Sequence, residues 1–245
     1  MFIELATALL GASTFTVAAQ LWRTQTRLQK INRFLEEGQP QLFLDAIDKE
    51  LMRSHGRALI ALLRINQAAG FVYVGDFEQG LHRLRLVDLN DLKAWHSSAR
   101  RRIEALYHNN LLLTLLLGGH YDEAIALWES ASAHFIPRTY HTALDQCLQG
   151  TAASFHYFCG DRFTARKALE ELTQLQSSNL VKGHRLYFLG RIDLAEGYFE
   201  RGMERIQGAA ALVPNGYLSE EPKRLADGTE RIPGPGAGSS MPSRP

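Results

Sequence analysis

Residues 119–131 read GHYDEAIALWESA, and this stretch decides the fold. Gly119 is suited to the left-handed conformation that closes one helix, and the polar residues after it suit the start of the next. From there Tyr121, Ala124, Ile125, Trp128 and Ala131 recur at steps of three and four, which is the spacing of one face of an α-helix. A glycine stop followed by an amphipathic helix recurs through the middle of the chain. The segments are GQPQLFLDAI from Gly38, GDFEQGLHRL from Gly75, GDRFTARKAL from Gly160 and GRIDLAEGYF from Gly190. The five glycines are 37, 44, 41 and 30 residues apart, an irregular series around the length of a two-helix unit. No stretch alternates with period two, and Pro is absent between Pro40 and Pro137, so the expectation is an all-α chain.

These segments resemble the turn and second helix of a tetratricopeptide repeat. In GHYDEAIALW the glycine, an aromatic, the small Ala124, the bulky Trp128 and the small Ala131 hold the places of that family's interlocking contacts. In GRIDLAEGYFERG, Ala195, Phe199 and Gly202 stand in the matching places, with Gly183 as the small residue of the preceding helix. GDFEQGLHRL supplies Gly80 and Leu84, preceded by Asn66, Ala68 and Phe71. Two segments depart from the pattern: Arg162 replaces the aromatic after Gly160, and bulky Phe43 replaces the small residue after Gly38. The resemblance spans roughly residues 30–213 and implies a right-handed α-solenoid of helix pairs, with a groove lined by the first helices. In the family that groove receives a peptide or a protein partner.

On that reading the partner-binding residues are Asn66 and Asn110, which lie 14 residues before Gly80 and Ala124 respectively. An asparagine amide both donates to and accepts from a peptide backbone. Tyr73, Asn109, Arg185 and Tyr187 join them as candidates. The competing reading makes all six solvated polar residues.

The amino terminus reads as a membrane segment. Of the 21 residues 2–22, 15 are apolar, Ala or Gly, and Glu4 is the one charge. A helix of that length is about 31 Å long, which matches a hydrocarbon core of about 30 Å. Arg23, Arg27, Lys30 and Arg33 follow it, so the soluble part is expected in the cytoplasm. Residues 1–22 are thus assigned to a single transmembrane anchor and 23–213 to the solenoid. Cleavage as a signal peptide, which would make the protein a secreted or envelope repeat protein, stays open because Val17 and Ala19 suit a cleavage site. Of the 32 residues from Pro214 onward, 15 are Pro, Gly or Ser, so residues 214–245 are expected to be a disordered tail.

Composition narrows the function. The 245 residues carry 27 Lys and Arg against 26 Asp and Glu, which gives no charge excess to draw in nucleic acid. Cys147 and Cys159 form neither a CxxC pair nor a disulfide framework. No phosphate-binding loop, HExxH, GxSxG or calcium loop occurs, and the nine histidines are scattered. No catalytic residue, cofactor or metal site is therefore assigned. Arg100 to Arg102 read as a solvated helix face or a contact with anionic lipid, and Leu111 to Leu117 as core. The expectation is a membrane-anchored interaction module, a scaffold or assembly factor. The alternative is an enzyme or small-molecule sensor, which would require buried ionisable residues converging in a closed pocket.

Overall fold

The computed structural model describes residues 26–135, 143–229 and 234. These form eleven α-helices and no strand. They are α1 (26–36), α2 (Pro40–Arg53), α3 (Arg57–Val74), α4 (Phe77–Arg85), α5 (Ser97–Leu117), α6 (Tyr121–Ala131), α7 (Ala143–Phe158), α8 (Arg162–Thr173), α9 (Asn179–Ala195), α10 (Phe199–Leu212) and α11 (Glu221–Ala226). The all-α expectation holds.

Five helix pairs share one turn. After α1, α3, α5, α7 and α9 the chain passes through Gly38, Gly75, Gly119, Gly160 and Gly197, whose φ values lie between 69° and 86°. At every one the same two hydrogen bonds close the helix. Gly75 N–H donates to the Val72 carbonyl at 3.0 Å and Asp76 N–H to Phe71 at 2.9 Å. Gly197 and Tyr198 repeat this on Leu194 and Asp193 at 3.1 and 2.9 Å. This is the Schellman closure, in which a left-handed residue lets two successive N–H groups turn back onto helix-end carbonyls. Asp76 and Asp161 then cap the next helices, each accepting from the backbone N–H three residues on, at Gln79 and Thr164.

The fifth turn corrects the sequence reading. Gly190 lies inside α9, and the turn falls seven residues later at Gly197. Gly190 is a contact residue: a Cβ there would come 2.7 Å from the Gly202 carbonyl oxygen on α10. Counted from Gly197, Phe199, Gly202, Ile206 and Ala209 fall where Tyr121, Ala124, Trp128 and Ala131 fall after Gly119. Phe43 finds its explanation in the next helix, because its ring lies against Gly70 of α3, where a Cβ would approach it to 2.7 Å. A large residue on one side is matched by the smallest on the other.

Neighbouring pairs are stacked in order. α3 packs on α5, α5 on α7 and α7 on α9, while α4 and α8 each contact the first helix of the next pair. Leu112, Leu115, Leu116 and Leu117 are buried in the central cluster, as the leucine run predicts. Trp128 stacks on Phe155 with ring centroids 4.3 Å apart.

The disordered-tail expectation is overturned for residues 214–229. Tyr217 and Leu218 are 4% and 0% exposed, in a 3₁₀ turn (Tyr217–Ser219) that touches both α3 and α9. Glu221, which opens α11, is buried and accepts from the Tyr187 hydroxyl at 2.8 Å. Composition alone underrates this segment, because two large apolar residues suffice when a receiving surface exists. The expected anchor, residues 1–22, lies outside the described residues. Among the described residues no helix is long and apolar enough to cross a membrane.

Candidate functional site

Four of the five first helices each offer one stripe to a common face. α3 contributes Ala69, Val72 and Tyr73, and α5 contributes Asn109, Asn110 and Leu113. α7 adds Gln146, Cys147, Gly150 and Thr151, and α9 adds Leu180, Val181, His184 and Arg185. The steps of three and four residues place each set on one side of its helix. Tyr217, from the segment after α10, completes the wall. Together they line a cavity of about 160 Å³ that is mostly apolar.

The carboxyl-terminal segment holds that wall in place. The Tyr73 hydroxyl donates to the Pro214 carbonyl at 2.9 Å, and the Phe77 and Tyr217 rings meet edge to face at 5.8 Å. His184 joins Tyr217 to α7, since Nδ1 lies 3.1 Å from the Tyr217 hydroxyl and Nε2 lies 3.1 Å from Ser154 Oγ. Ser154 Oγ donates to the Gly150 carbonyl, so it accepts from Nε2–H, which leaves Nδ1 to accept from the tyrosine. This is a neutral imidazole. Burial, and after it the charge of Arg185, pushes the His184 pKa down to about 4. Burial also raises Tyr217 and Cys147, the latter partly offset by Arg185. At neutral pH the cavity wall therefore holds one formal charge, the Arg185 guanidinium.

Arg185 is 1% exposed. Its Nη1 donates to the Leu172 carbonyl at the end of α8 and to Ser177 Oγ, and its Nη2 donates to Gln146 Oε1 at 3.1 Å. Its Nε has no partner. Across the cavity Asn109, 5% exposed, donates to Asn110 Oδ1 at 3.2 Å while its own Oδ1 has none.

Four of the six residues predicted from sequence, Tyr73, Asn109, Asn110 and Arg185, line this cavity. The other two do not. Asn66 is half-buried and its amide donates to the Leu62 carbonyl of its own helix at 2.8 Å. Tyr187 is fully buried away from the cavity, donating to Glu221 and accepting from Arg191 Nη1 at 2.9 Å. Sequence reasoning missed Gln146, Cys147, His184 and Tyr217. Helical spacing alone carries a signal for His184, which lies beside Arg185 and one turn before Phe188; nothing local marks Tyr217. Among the described residues no group of three His, Cys, Asp or Glu is placed to hold a metal.

A second feature lies at the turns. After Gly75, Gly119 and Gly160 the residue two positions on meets the carboxyl-terminal end of the first helix of the next pair. Phe77 lies against Gly118, the Tyr121 ring is 5.7 Å from Phe158, and Arg162 donates to the Ala195 carbonyl at 3.1 Å. Phe199 holds this place in the last pair and is 68% exposed, alongside Tyr198 at 55% and Phe163, near the start of α8, at 81%.

Comparison of the chain with family models, curated proteins and solved structures gives no match.

Proposed function

We propose that the chain is a protein-interaction module of tetratricopeptide-like helix pairs stacked as a right-handed solenoid. Residues 2–22 hold it at a membrane, with the helical part on the cytoplasmic side. The five identical turn closures support the repeat reading. The observation that carries the interaction reading is the exposure of three aromatic residues, Phe163 at the start of α8 and Tyr198 and Phe199 at the turn into α10, where the neighbouring Arg162 donates to the Ala195 carbonyl.

Large aromatic side chains left in water mark a contact surface more often than a random exterior does. The occupant follows from the pattern within the chain. Gly118 and Phe158, at helix ends, cover Phe77 and Tyr121, so a helix end of a partner protein presenting a glycine or an aromatic fits over Phe199. The face lined by Tyr73, Asn109 and Asn110 is already met by the turn of this same chain at Pro214, which leaves the aromatic residues as the more open surface.

The test uses the full chain in native membranes, with a photo-crosslinking phenylalanine at position 199 or at the exposed Glu129 of α6. The expected result is a discrete protein adduct from 199, none from 129, and loss of the adduct in Phe163→Asp/Tyr198→Asp. Equal crosslinking from both positions, or none from 199, overturns the reading. Carboxyl-terminal fusions to green fluorescent protein should fluoresce and fusions to alkaline phosphatase should be inactive; the reverse pattern overturns the membrane orientation.

A further inference from the structure

The charge of Arg185 is not matched inside the protein. All its hydrogen-bond partners, Leu172, Ser177 and Gln146, are neutral, and among the described residues no carboxylate lies within ion-pair distance. The end of α8, which carries the Leu172 carbonyl, offers about half a negative charge through the aligned peptide dipoles. A guanidinium keeps its full charge in a protein, so part of it stays uncompensated. Burying a charge is unfavourable unless a countercharge accompanies it. A second polar atom, Asn109 Oδ1, is also buried without a partner on the same cavity.

The space beside these groups is real and apolar. Val72, Leu113, Leu180 and Val181 line it, and at buried Gly150 an added Cβ would meet nothing within 4 Å. Its volume of about 160 Å³ is close to the ~150 Å³ of an engineered cavity that takes up benzene.

We propose that this cavity binds a small organic acid with a compact apolar body. Its carboxylate pairs with Arg185, whose unpartnered Nε–H is enclosed in the wall of the empty cavity and turns to the carboxylate on binding, and its ring or branched chain lies against Val72, Leu113, Leu180 and Val181. The carboxylate supplies the missing countercharge and the body fills the apolar volume. Asn109 Oδ1 accepts from an O–H or N–H on the ligand. This site is separate from the exposed Phe199 and stands or falls independently of partner docking there.

The probe is benzoate, titrated calorimetrically into the full chain in detergent, with benzyl alcohol as the uncharged counterpart of similar size. The expected dissociation constant for benzoate is about 1 mM or lower, the range for a ligand of about nine heavy atoms. Benzyl alcohol should bind about tenfold more weakly or worse, since it lacks the charge-assisted hydrogen bond. Arg185→Met should bring benzoate down to the level of benzyl alcohol. Gly150→Leu fills the cavity from α7 without touching Arg185, and it should abolish binding of both while the thermal midpoint stays at or above that of the wild type. Failure of the wild type to bind benzoate, equal binding of the acid and the alcohol, or benzoate binding that survives Gly150→Leu would each overturn the proposal.

Discussion

The side-chain amide of Asn215 donates to the carbonyl of Gly38 at 2.9 Å, joining residues 177 apart in sequence. The bond ties the segment after the last helix pair to the turn of the first. Asn215 is also the one described non-glycine residue with positive φ, at 59°. Asn215→Ala loses the hydrogen bond, worth about 1 kcal/mol, and meets a left-handed penalty of about 1 kcal/mol or more. Asn215→Gly loses the bond but not the backbone freedom. Urea denaturation should therefore rank wild type above Gly and Gly above Ala, and equal losses would show that the left-handed conformation is unimportant.

His184 makes stability depend on pH. Its folded pKa of about 4 lies below the usual 6.5, so between those values the unfolded chain binds the extra proton. The contribution is fully present above about pH 6.5 and is lost as pH falls toward 4, by roughly 3 kcal/mol. His108 is also held to about 4, by burial and then by His134, with Glu104 opposing, and it adds a smaller, solvent-screened share. Denaturation midpoints compared at pH 7 and pH 4.5 should differ less in His184→Gln than in the wild type.

Two buried glycines should respond in opposite directions to the same methyl group. Gly190→Ala forces α9 away from the α10 backbone at Gly202 and should cost about 1 to 3 kcal/mol. Gly150→Ala meets open space inside α7 and should gain about 0.5 to 1 kcal/mol from reduced freedom of the unfolded chain. Thermal unfolding of the two variants checks both signs.

The two asparagines that look equivalent in sequence differ in the fold. Asn110 reaches across from α5 to the Ile65 carbonyl of α3 at 3.2 Å, whereas Asn66 bonds within its own helix. Asn110→Ala should cost about 1 kcal/mol of stability and Asn66→Ala less than about 0.5. Equal effects would argue against the bond between α5 and α3.

Asp193 gathers three arginines. Fully buried on α9, it accepts from Arg166 of α8 at 2.8 Å and from Arg201 and Arg205 of α10 at 2.7 and 2.8 Å. Burial pushes its carboxyl up, but the hydrogen bonds from Arg201 and Arg166 and the charges of Arg205 and Arg166 outweigh that and lower it. Its stabilisation is thus present above the usual carboxylate range and is lost as pH falls through the lowered value. Asp193→Asn should cost about 3 kcal/mol at pH 7, since it leaves the arginines crowded without their shared anion. In urea denaturation this difference should shrink below pH 4, and a constant difference would exclude the ionic explanation.

Four of the five turns are legible in the sequence because the signal is local. Gly38, Gly75, Gly119 and Gly160 each follow an amphipathic run, and the left-handed closure needs a glycine at that one position. Gly190 and Gly197 look alike by that criterion, and the choice between them belongs to packing: Gly190 is required by the backbone of Gly202, a residue on another helix. Leu111 to Leu117 likewise read as core from their composition. Tyr217 and Leu218 do not, because a Pro and Gly-rich neighbourhood hides them and their burial depends on a surface built by α3 and α9. The candidate site divides the same way. The family resemblance supplied the candidates: Tyr73, Asn109, Asn110 and Arg185 lie on the cavity, whereas Asn66 and Tyr187, named with them, do not, because the open face is set by the neighbouring helices. That Arg185 lies buried beside an apolar cavity, without a carboxylate, is a property of α5, α7, α8 and α9 together. Local geometry is written in residues three and four apart, whereas burial and charge balance are set by residues that only the tertiary fold brings within a few ångströms.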